Sequence, residues 1–188
     1  MKIKTLIFPA LLASVLAACA TPPKNSADTA YNVNSARTHS SAPAPDWSSL
    51  RTKLAGALRN VAGIEIGEAG ADGLRLQIPV ADGFASGSVE VRAPLARTLD
   101  ALAPTLASEP GAAVQVVGHT DSQGSEMYNL QLSIARAEAV AEYLRNRGIA
   151  LARLSADGRG EADPLTSNAT EAGRARNRRV EIILRPMP

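Results

Sequence analysis

Val114–Gly124 reads VQVVGHTDSQG, and Tyr128–Ala137 then reads YNLQLSIARA. The valine-rich run ends at Gly118, which predicts a short strand covered on both faces. A polar loop follows, and then apolar residues recur at the three-and-four spacing of one helix face. These residues are Leu130, Ile134, Ala137, Ala141 and Leu144, while Asn129, Ser133 and Arg136 lie on another face. Binding groups often collect on such a strand-to-helix loop, because the rigid elements on both sides fix its side chains.

The flanking residues predict further strands and helices around this unit. Leu74–Val80 alternates apolar and polar residues, which indicates a strand with one solvated face. Pro94 suits the first turn of a helix that carries leucines on one side as far as Leu106. The order strand, helix, strand, helix predicts a parallel pair of strands with a right-handed crossover. The later predictions are a short strand at Arg153–Ala156, a short helix capped by Thr170 and ending at Arg176, and a last strand at Val180–Leu184.

A smaller helix and strand are predicted before Leu74. Asp46 is a suitable N-cap for a helix that runs to about Asn60. A short strand is expected at Gly63–Gly67, joined by a glycine-containing turn to the strand that follows. Trp47 fits packing against the core better than stacking on a ligand.

The first residues have the features of a bacterial lipoprotein signal. Lys2 and Lys4 precede an apolar stretch that is too short to span a bilayer, and Leu16–Cys19 reads LAAC, the form of a lipobox. In such a signal the chain is cut before the cysteine, which is then acylated. Cys19 is the only cysteine, which excludes intramolecular disulfides and argues against a cysteine-ligated metal site. Ala20 follows it in place of an aspartate, which favours the outer membrane over retention in the inner membrane.

The composition after this signal restricts the remaining possibilities. Ala20–Pro45 is rich in Thr, Ser, Ala, Asn and Pro without a hydrophobic period, which predicts a flexible tether. Without Lys2 and Lys4, basic and acidic residues are equal in number, so a general nucleic-acid surface is not indicated. The 188-residue length suits one domain with appendages, and with 3% aromatic residues its core must be mainly aliphatic.

Four blocks of residues, in order, resemble the OmpA C-terminal-like domain of Gram-negative envelope proteins. They are GHTD at Gly118–Asp121, Asn129 with LS at Leu132–Ser133 and RA at Arg136–Ala137, GRGE at Gly158–Glu161, and GRA at Gly173–Ala175 with NRRVE at Asn177–Glu181. The resemblance covers about residues 74–184. This family, which includes Pal and MotB, is known as a peptidoglycan-binding module.

The resemblance implies an α/β fold of the α+β sandwich type. The expected core is β-α-β-α-β, with a mixed sheet packed against helices and a small N-terminal helix and strand extension. The predicted organisation is a signal peptide at 1–18, acylated Cys19 and the tether at 19–45, the extension at 46–73 and the OmpA-like domain at 74–188.

The resemblance also implies which residues hold the ligand. It places the gripping pair at Asp121 and Arg136, with Thr120, Asn129 and Arg178 nearby. A carboxylate and a guanidinium that do not fully satisfy one another can hold a zwitterion, such as the end of a diaminopimelate side chain. At Phe84–Ser88 the family usually has a Phe-Asp pair, but here the second residue is Ala85.

The residues alone leave other roles open. Asp121 and Arg136 are fifteen positions apart, and on spacing alone an internal salt bridge from loop to helix is as good an interpretation as a ligand grip. His119 is expected to hydrogen-bond the backbone and order the loop rather than act as a base. In isolation, a further group of arginines resembles a phosphate-binding patch: Arg174, Arg176, Arg178 and Arg179.

Three functions remain from different classes. The leading hypothesis is a non-catalytic lipoprotein of the outer membrane that faces the periplasm, uses no cofactor and binds diaminopimelate-type peptidoglycan in preference to the lysine type. A wall hydrolase is the second, with Asp121, Asp157 and Glu161 as conceivable carboxylates, although one histidine outside the tether leaves no histidine metal cluster. The third is an envelope-sensing or assembly role with a protein partner bound through the segment 46–80.

Overall fold

The structure is a computed structural model that describes residues 44–70 and 72–188. The predicted signal peptide, Cys19 and nearly all of the predicted tether lie outside the described residues. The described helices are α1 (Trp47–Leu58), α2 (Ala93–Ala107), α3 (Glu126–Arg145) and α4 (Glu171–Asn177). The strands are β1 (Glu65–Glu68), β2 (Leu74–Pro79), β3 (Ala112–Gly118), β4 (Leu154–Gly158) and β5 (Arg179–Pro186), with a 3₁₀ turn at Leu151–Arg153.

The five strands form one mixed sheet in the order β1-β2-β5-β3-β4. Only β3 and β4 pair in parallel within it, and α3 connects them, whereas the other neighbours are antiparallel. The prediction that the Leu74 and Val114 strands form a parallel pair is wrong, because the parallel partner of β3 is β4. The last strand, β5, lies between β2 and β3 and separates them. The fold is the predicted α/β arrangement of a mixed sheet packed against helices.

One face of the sheet forms the hydrophobic core with the helices. Leu76, Ile182 and Val116 lie side by side on β2, β5 and β3, and all three are fully buried. Leucines of α1, α2 and α3 join the same cluster, which extends from Leu50 to Leu184. The core is thus drawn entirely from residues 44–188, so we expect this fragment to fold by itself.

Local hydrogen bonds explain where three of the helices begin. The side chains of Asp46, Ser125 and Thr170 accept hydrogen bonds from backbone amides in the first turns of α1, α3 and α4. Such caps satisfy amides that have no partner within the helix. The predicted caps at Asp46 and Thr170 are confirmed, whereas α1 ends at Leu58, two residues earlier than predicted.

The buried face of α3 differs from the predicted apolar stripe. Leu130 is exposed, and the buried residues of the first half of the helix are Asn129, Ser133 and Arg136. The reason is close approach of backbones. A Cβ at Gly118 would overlap the carbonyl of Ser133, and one at Gly158 would overlap the same turn of α3. Because the helix lies directly on β3 and β4, only a small residue fits at the contact.

The strand β3 is covered less evenly than predicted. Val114 and Val116 are fully buried under the helices, and Val117 is buried on the opposite side. Gln115, also on that side, is only half-buried. None of the described helices is both long and apolar enough to cross a bilayer.

Candidate ligand-binding cleft

A cleft of about 340 Å³ opens where β3 ends and α3 begins. Its other walls are the loop that contains Phe84–Gly87 and two residues at opposite ends of α4, Glu171 and Arg178. All five ligand-binding residues predicted from the sequence line this cleft: Thr120, Asp121, Asn129, Arg136 and Arg178. The fold therefore brings together residues that are up to 58 positions apart in the chain.

Two hydrogen bonds fix the Asp121 carboxylate in the loop that follows β3. Its Oδ1 accepts a hydrogen bond from the Gln123 amide at 3.0 Å, and its Oδ2 accepts one from Arg178 Nη1 at 2.6 Å. The residue is 7% exposed. A carboxylate has about four lone-pair sites, so these two bonds leave acceptor capacity for a ligand.

Arg136 is buried without a carboxylate partner among the described residues. Its Nε donates to the Ser88 carbonyl at 3.0 Å and its Nη2 to the Ala85 carbonyl at 3.2 Å. The Phe84 ring lies 4.9 Å from the guanidinium carbon, within cation–π range. Burial lowers the pKa of Arg136, while Tyr128 and Asp121 oppose that shift.

Arg178 joins two carboxylates across the cleft. Its Nη1 lies 2.6 Å from Asp121 Oδ2 and its Nη2 lies 2.7 Å from Glu171 Oε1. Burial opposes the charge of Arg178, but hydrogen bonds to Asp121 and Glu171 outweigh it and raise the pKa. Asp121 thus pairs with Arg178, and no ion pair between Asp121 and Arg136 is present among the described residues.

Asn129 and Thr120 complete the loop side of the cleft. Asn129 Nδ2 donates to the Asp121 carbonyl at 3.3 Å and to Glu161 Oε2 at 2.6 Å, which ties three of the sequence blocks together. The Thr120 amide donates to the Gly160 carbonyl at 2.8 Å. Its hydroxyl is buried and has no hydrogen-bond partner among the described residues.

His119 does not belong to this cleft. Strand alternation turns its side chain to the other face of the sheet, where it lies near Arg179 and Glu181. The prediction that it hydrogen-bonds the backbone is wrong for the side chain, since neither ring nitrogen has a partner among the described residues. Only its amide does so, by donating to the Arg179 carbonyl.

The four arginines near the C-terminus do not form one patch. Arg174 pairs with Glu171, Arg176 is exposed with Glu65 at 3.9 Å, and Arg179 is buried against Glu181. Of the four, Arg178 alone lines the cleft. Only one of these four arginines therefore belongs to the site, which argues against a shared phosphate-binding surface.

Some cleft residues were not predicted from the sequence. Glu171 was missed as the second partner of Arg178, although an acidic residue directly after the cap Thr170 was a usable signal. The cation–π contact of Phe84 with Arg136 was missed because the residues are far apart in sequence. Among the described residues, no group of three or more histidine, cysteine or acidic side chains is placed to hold a metal ion.

Comparison with known proteins identifies the domain. Residues 83–178 match the model of the OmpA family. The chain belongs to the OmpA family. All five predicted cleft residues fall within the matched region, as do the Gly118 and Gly158 contacts with α3.

Individual relatives match different lengths of the chain. The chain is 38% identical to the probable lipoprotein YiaD of Escherichia coli over 138 residues, which are 73% of this chain and 60% of YiaD. It is 46% identical to the peptidoglycan-binding protein ArfA of Mycobacterium tuberculosis over 86 residues, 46% of this chain and 26% of ArfA. The chain thus spans three-fifths or less of the length of these curated relatives.

A solved structure has the same arrangement of elements. The cell wall anchor of the type VI secretion system from Pseudomonas aeruginosa superposes with a TM-score of 0.63 and 33% identity. The superposition covers 71% of this chain and 97% of that structure.

Proposed function

We propose that this OmpA-family domain binds the diaminopimelate-containing stem peptide of peptidoglycan without catalysing a reaction, and that Cys19 anchors it to the outer membrane. Family membership supports a role in the cell envelope. The printed descriptions of ArfA as peptidoglycan-binding and of the type VI protein as a cell wall anchor support the ligand.

The burial of Arg136 without a carboxylate partner is the observation that carries the proposal. It is 7% exposed, held by two backbone carbonyls and a ring, and has no carboxylate within 4 Å among the described residues. Buried charges are usually paired, because desolvation is costly. Its Nη1 makes no hydrogen bond within the described part of the chain, so it is free to donate to a ligand carboxylate.

The other charged residues of the cleft are suited to bind the ammonium group of a zwitterion. Asp121 and Glu171 face Arg178 from two sides, so the cleft presents alternating signs rather than a net charge. An ammonium near Asp121 and a carboxylate near Arg136 would each gain a charge-assisted hydrogen bond. The end of a diaminopimelate side chain carries both groups on one carbon.

Sedimentation with purified Gram-negative sacculi tests whether the domain binds peptidoglycan and whether Arg136 and Asp121 contribute to that binding. Residues 44–188 are expected to sediment with the wall, and Arg136→Gln and Asp121→Asn to weaken binding about 10- to 100-fold. This range follows from the loss of one charge-assisted hydrogen bond of about 1.5–3 kcal/mol. Arg136→Lys keeps the charge but loses the forked geometry, so it should restore binding only in part.

Matched variants elsewhere separate this effect from general charge. Arg97→Gln and Asp72→Asn change exposed residues outside the cleft and should bind like the unchanged fragment. Circular dichroism establishes that every variant is folded. Loss of binding in the control variants, or full binding by a folded Arg136→Gln, would contradict the proposal.

The selectivity of the cleft follows from the same arginine. A lysine-type peptide keeps the side-chain amine but lacks the second carboxylate, which leaves Arg136 uncompensated. Calorimetric titration with soluble stem peptides should give at least about tenfold tighter binding for the diaminopimelate form. Equal affinity for the two peptides would contradict the proposal that Arg136 binds the second carboxylate of the zwitterion.

The membrane anchor is tested separately from the ligand. Metabolic labelling with palmitate should mark the full chain, and Cys19→Ser should abolish the label. Cell fractionation should place the labelled protein in the outer membrane and release the variant to the periplasm. A soluble, unlabelled full chain would contradict the anchor and leave the wall-binding result unaffected.

Assay for muropeptide release distinguishes this binding role from a wall hydrolase. The single histidine of residues 44–188 lies outside the cleft, the Asp121 carboxylate accepts a hydrogen bond from Arg178, and the Glu161 carboxylate accepts one from Asn129. We therefore expect no soluble muropeptides from sacculi at saturating protein. Release above that of the Asp121→Asn variant would establish catalysis.

A further inference from the structure

A second cleft of about 560 Å³ lies on the face of the sheet opposite the helices. Alternate residues of β5 turn toward it, with Gln115 and Val117 of β3 and Arg75 of β2 beside them. The loop after β4 forms its remaining wall. The β5 residues are Arg179, Glu181, Ile183 and Arg185. The proposed peptidoglycan contacts do not involve any of these side chains.

The floor of this second cleft contains a buried imidazole without a partner. His119 is 4% exposed, yet neither of its ring nitrogens hydrogen-bonds any described residue. The Glu181 carboxylate lies nearby, with Oε1 at 3.8 Å from Nε2, which is beyond hydrogen-bond distance. Buried polar groups nearly always have a hydrogen-bond partner. Because this ring has none within the described chain, a group that enters the cleft can supply it.

The charges around the imidazole favour an anion. Four arginines line the second cleft, Arg75, Arg159, Arg179 and Arg185, against the carboxylates of Asp163 and Glu181. Glu181 is already neutralised by Arg179, whose Nε lies 2.9 Å from Oε1. Arg185 is exposed and has no ion pair among the described residues.

Two further observations narrow the chemistry. The Nε of Arg75 is buried and lacks a hydrogen-bond partner, although Glu181 Oε2 lies 3.6 Å away. The pKa of His119 is lowered to about 4, first by burial and then by Arg179, with Glu181 opposing the shift. The ring is therefore neutral at pH 7 and has one N–H to donate.

We propose that the second cleft binds a small oxyanion, a phosphate or carboxylate group, between His119 and the arginines of its rim. The neutral ring donates one hydrogen bond, and the forks of Arg75 and Arg185 supply charge-assisted bonds. The site is independent of the proposed peptidoglycan contacts, because none of its residues lines the first cleft.

The imidazole itself provides the readout. His119 is the only histidine in residues 44–188, so its ring gives one assignable NMR signal. Inorganic phosphate is titrated at constant ionic strength with chloride as the balancing ion. A saturable shift of the ring signal supports the site. No shift with phosphate, together with no effect in the vesicle experiment below, overturns it.

A matched pair of arginine variants tests whether Arg185, at the edge of the second cleft, contributes to phosphate binding. Arg185→Gln should weaken phosphate binding about tenfold, the effect of losing one charge-assisted contact. Arg97→Gln, an exposed arginine on α2 outside the second cleft, should leave it unchanged. Both positions are exposed, so the fold should be retained. Equal weakening by the two variants would mean general charge attraction and would overturn the proposal.

Vesicles distinguish the source of the anion. Phosphatidylglycerol vesicles are compared with phosphatidylcholine vesicles, and binding is followed by co-sedimentation of the fragment and of Arg185→Gln. A response to free phosphate alone identifies a soluble oxyanion. Binding to phosphatidylglycerol that Arg185→Gln reduces identifies a lipid phosphate. Asp121→Asn, which should weaken wall binding, is expected to leave both responses intact.

Discussion

At the scale of single residues, the cleft depends on which partners each charged group has. Asp121 and Arg178 form an ion pair at 2.6 Å, whereas Arg136 is held by the carbonyls of Ala85 and Ser88. Ala85 adds no side-chain carboxylate to this loop, but its carbonyl accepts a hydrogen bond from Arg136. The backbone therefore supports the position of Arg136 without neutralising it.

Thr120→Val tests whether a buried hydroxyl serves the ligand or the fold. The Thr120 hydroxyl has no partner among the described residues, so its removal should change the free energy of unfolding by less than about 0.5 kcal/mol. Binding to sacculi should fall about 3- to 10-fold if the hydroxyl contacts the peptide. Urea unfolding and co-sedimentation measure the two effects. A large loss of stability would assign the hydroxyl to the fold.

The stability of residues 44–188 should depend on the protonation of His119. The unfolded chain accepts a proton on this ring near pH 6.5, but the folded domain resists it until about pH 4. Because the unfolded state binds more protons in this window, stability falls as pH is lowered from 6.5 to 4, by roughly 3 kcal/mol for the full shift.

Urea unfolding in a phosphate-free buffer at several pH values measures this dependence. His119→Gln has no group that titrates here, so the difference between it and the unchanged fragment isolates the contribution of the ring. The difference should grow as the pH falls below 6.5. Parallel curves for the two proteins would contradict the low pKa.

At the scale of elements, the contact of α3 with β3 and β4 explains why part of the sequence pattern was misleading. Three-and-four spacing predicted Leu130 and Ile134 on the buried face, yet Ser133 is the residue fully buried against the sheet. Gly118 and Gly158 allow the helix backbone to approach so closely that large apolar side chains do not fit. Ser133 Oγ accepts a hydrogen bond from the Gly160 amide at 2.9 Å, so it also fixes the loop after β4.

Gly118→Ala tests this close approach. The added methyl group would overlap the backbone carbonyl of Ser133, which should cost about 1–3 kcal/mol of unfolding free energy. Gly56→Ala is the matched control, because Gly56 lies exposed in α1 with no atom near the new methyl group. It should stabilise the domain by about 0.5–1 kcal/mol. Chemical denaturation measures the free energy of unfolding of both variants. An unchanged value for Gly118→Ala would contradict the close contact between β3 and α3.

At the scale of the whole molecule, the predicted extension 46–73 is joined closely to the rest. Leu50 and Leu54 of α1 are fully buried in the same core as Leu99 and Leu102 of α2, and β1 pairs with β2. Deletion of the segment 46–80 would therefore expose the core. Surface substitutions on α1 are the better test of an assembly role with a protein partner.

Leu54→Ala measures how much α1 contributes to the domain. A fully buried leucine truncated to alanine should lower the free energy of unfolding by about 2–5 kcal/mol, because it removes apolar contacts and leaves a cavity. Leu151→Ala is the control, since that leucine is 71% exposed and should cost less than about 0.5 kcal/mol. Urea unfolding should show one cooperative transition in both variants. A separate early transition in Leu54→Ala would mean that α1 folds independently.

The resemblance to a known family implied that five residues share one cleft, whereas the local sequence pattern determined the types of the elements and the caps at Asp46 and Thr170. Periodicity and capping act over a few residues, so a local pattern contains that information. Only the tertiary structure decided that Asp121 pairs with Arg178 across 57 positions, that Arg136 rests on carbonyls of a distant loop, and that His119 faces a second cleft. These outcomes follow from the insertion of β5 between β2 and β3 and from the glycines that let α3 pack closely on the sheet. Both are long-range contacts, which the spacing of residues in a local stretch does not specify.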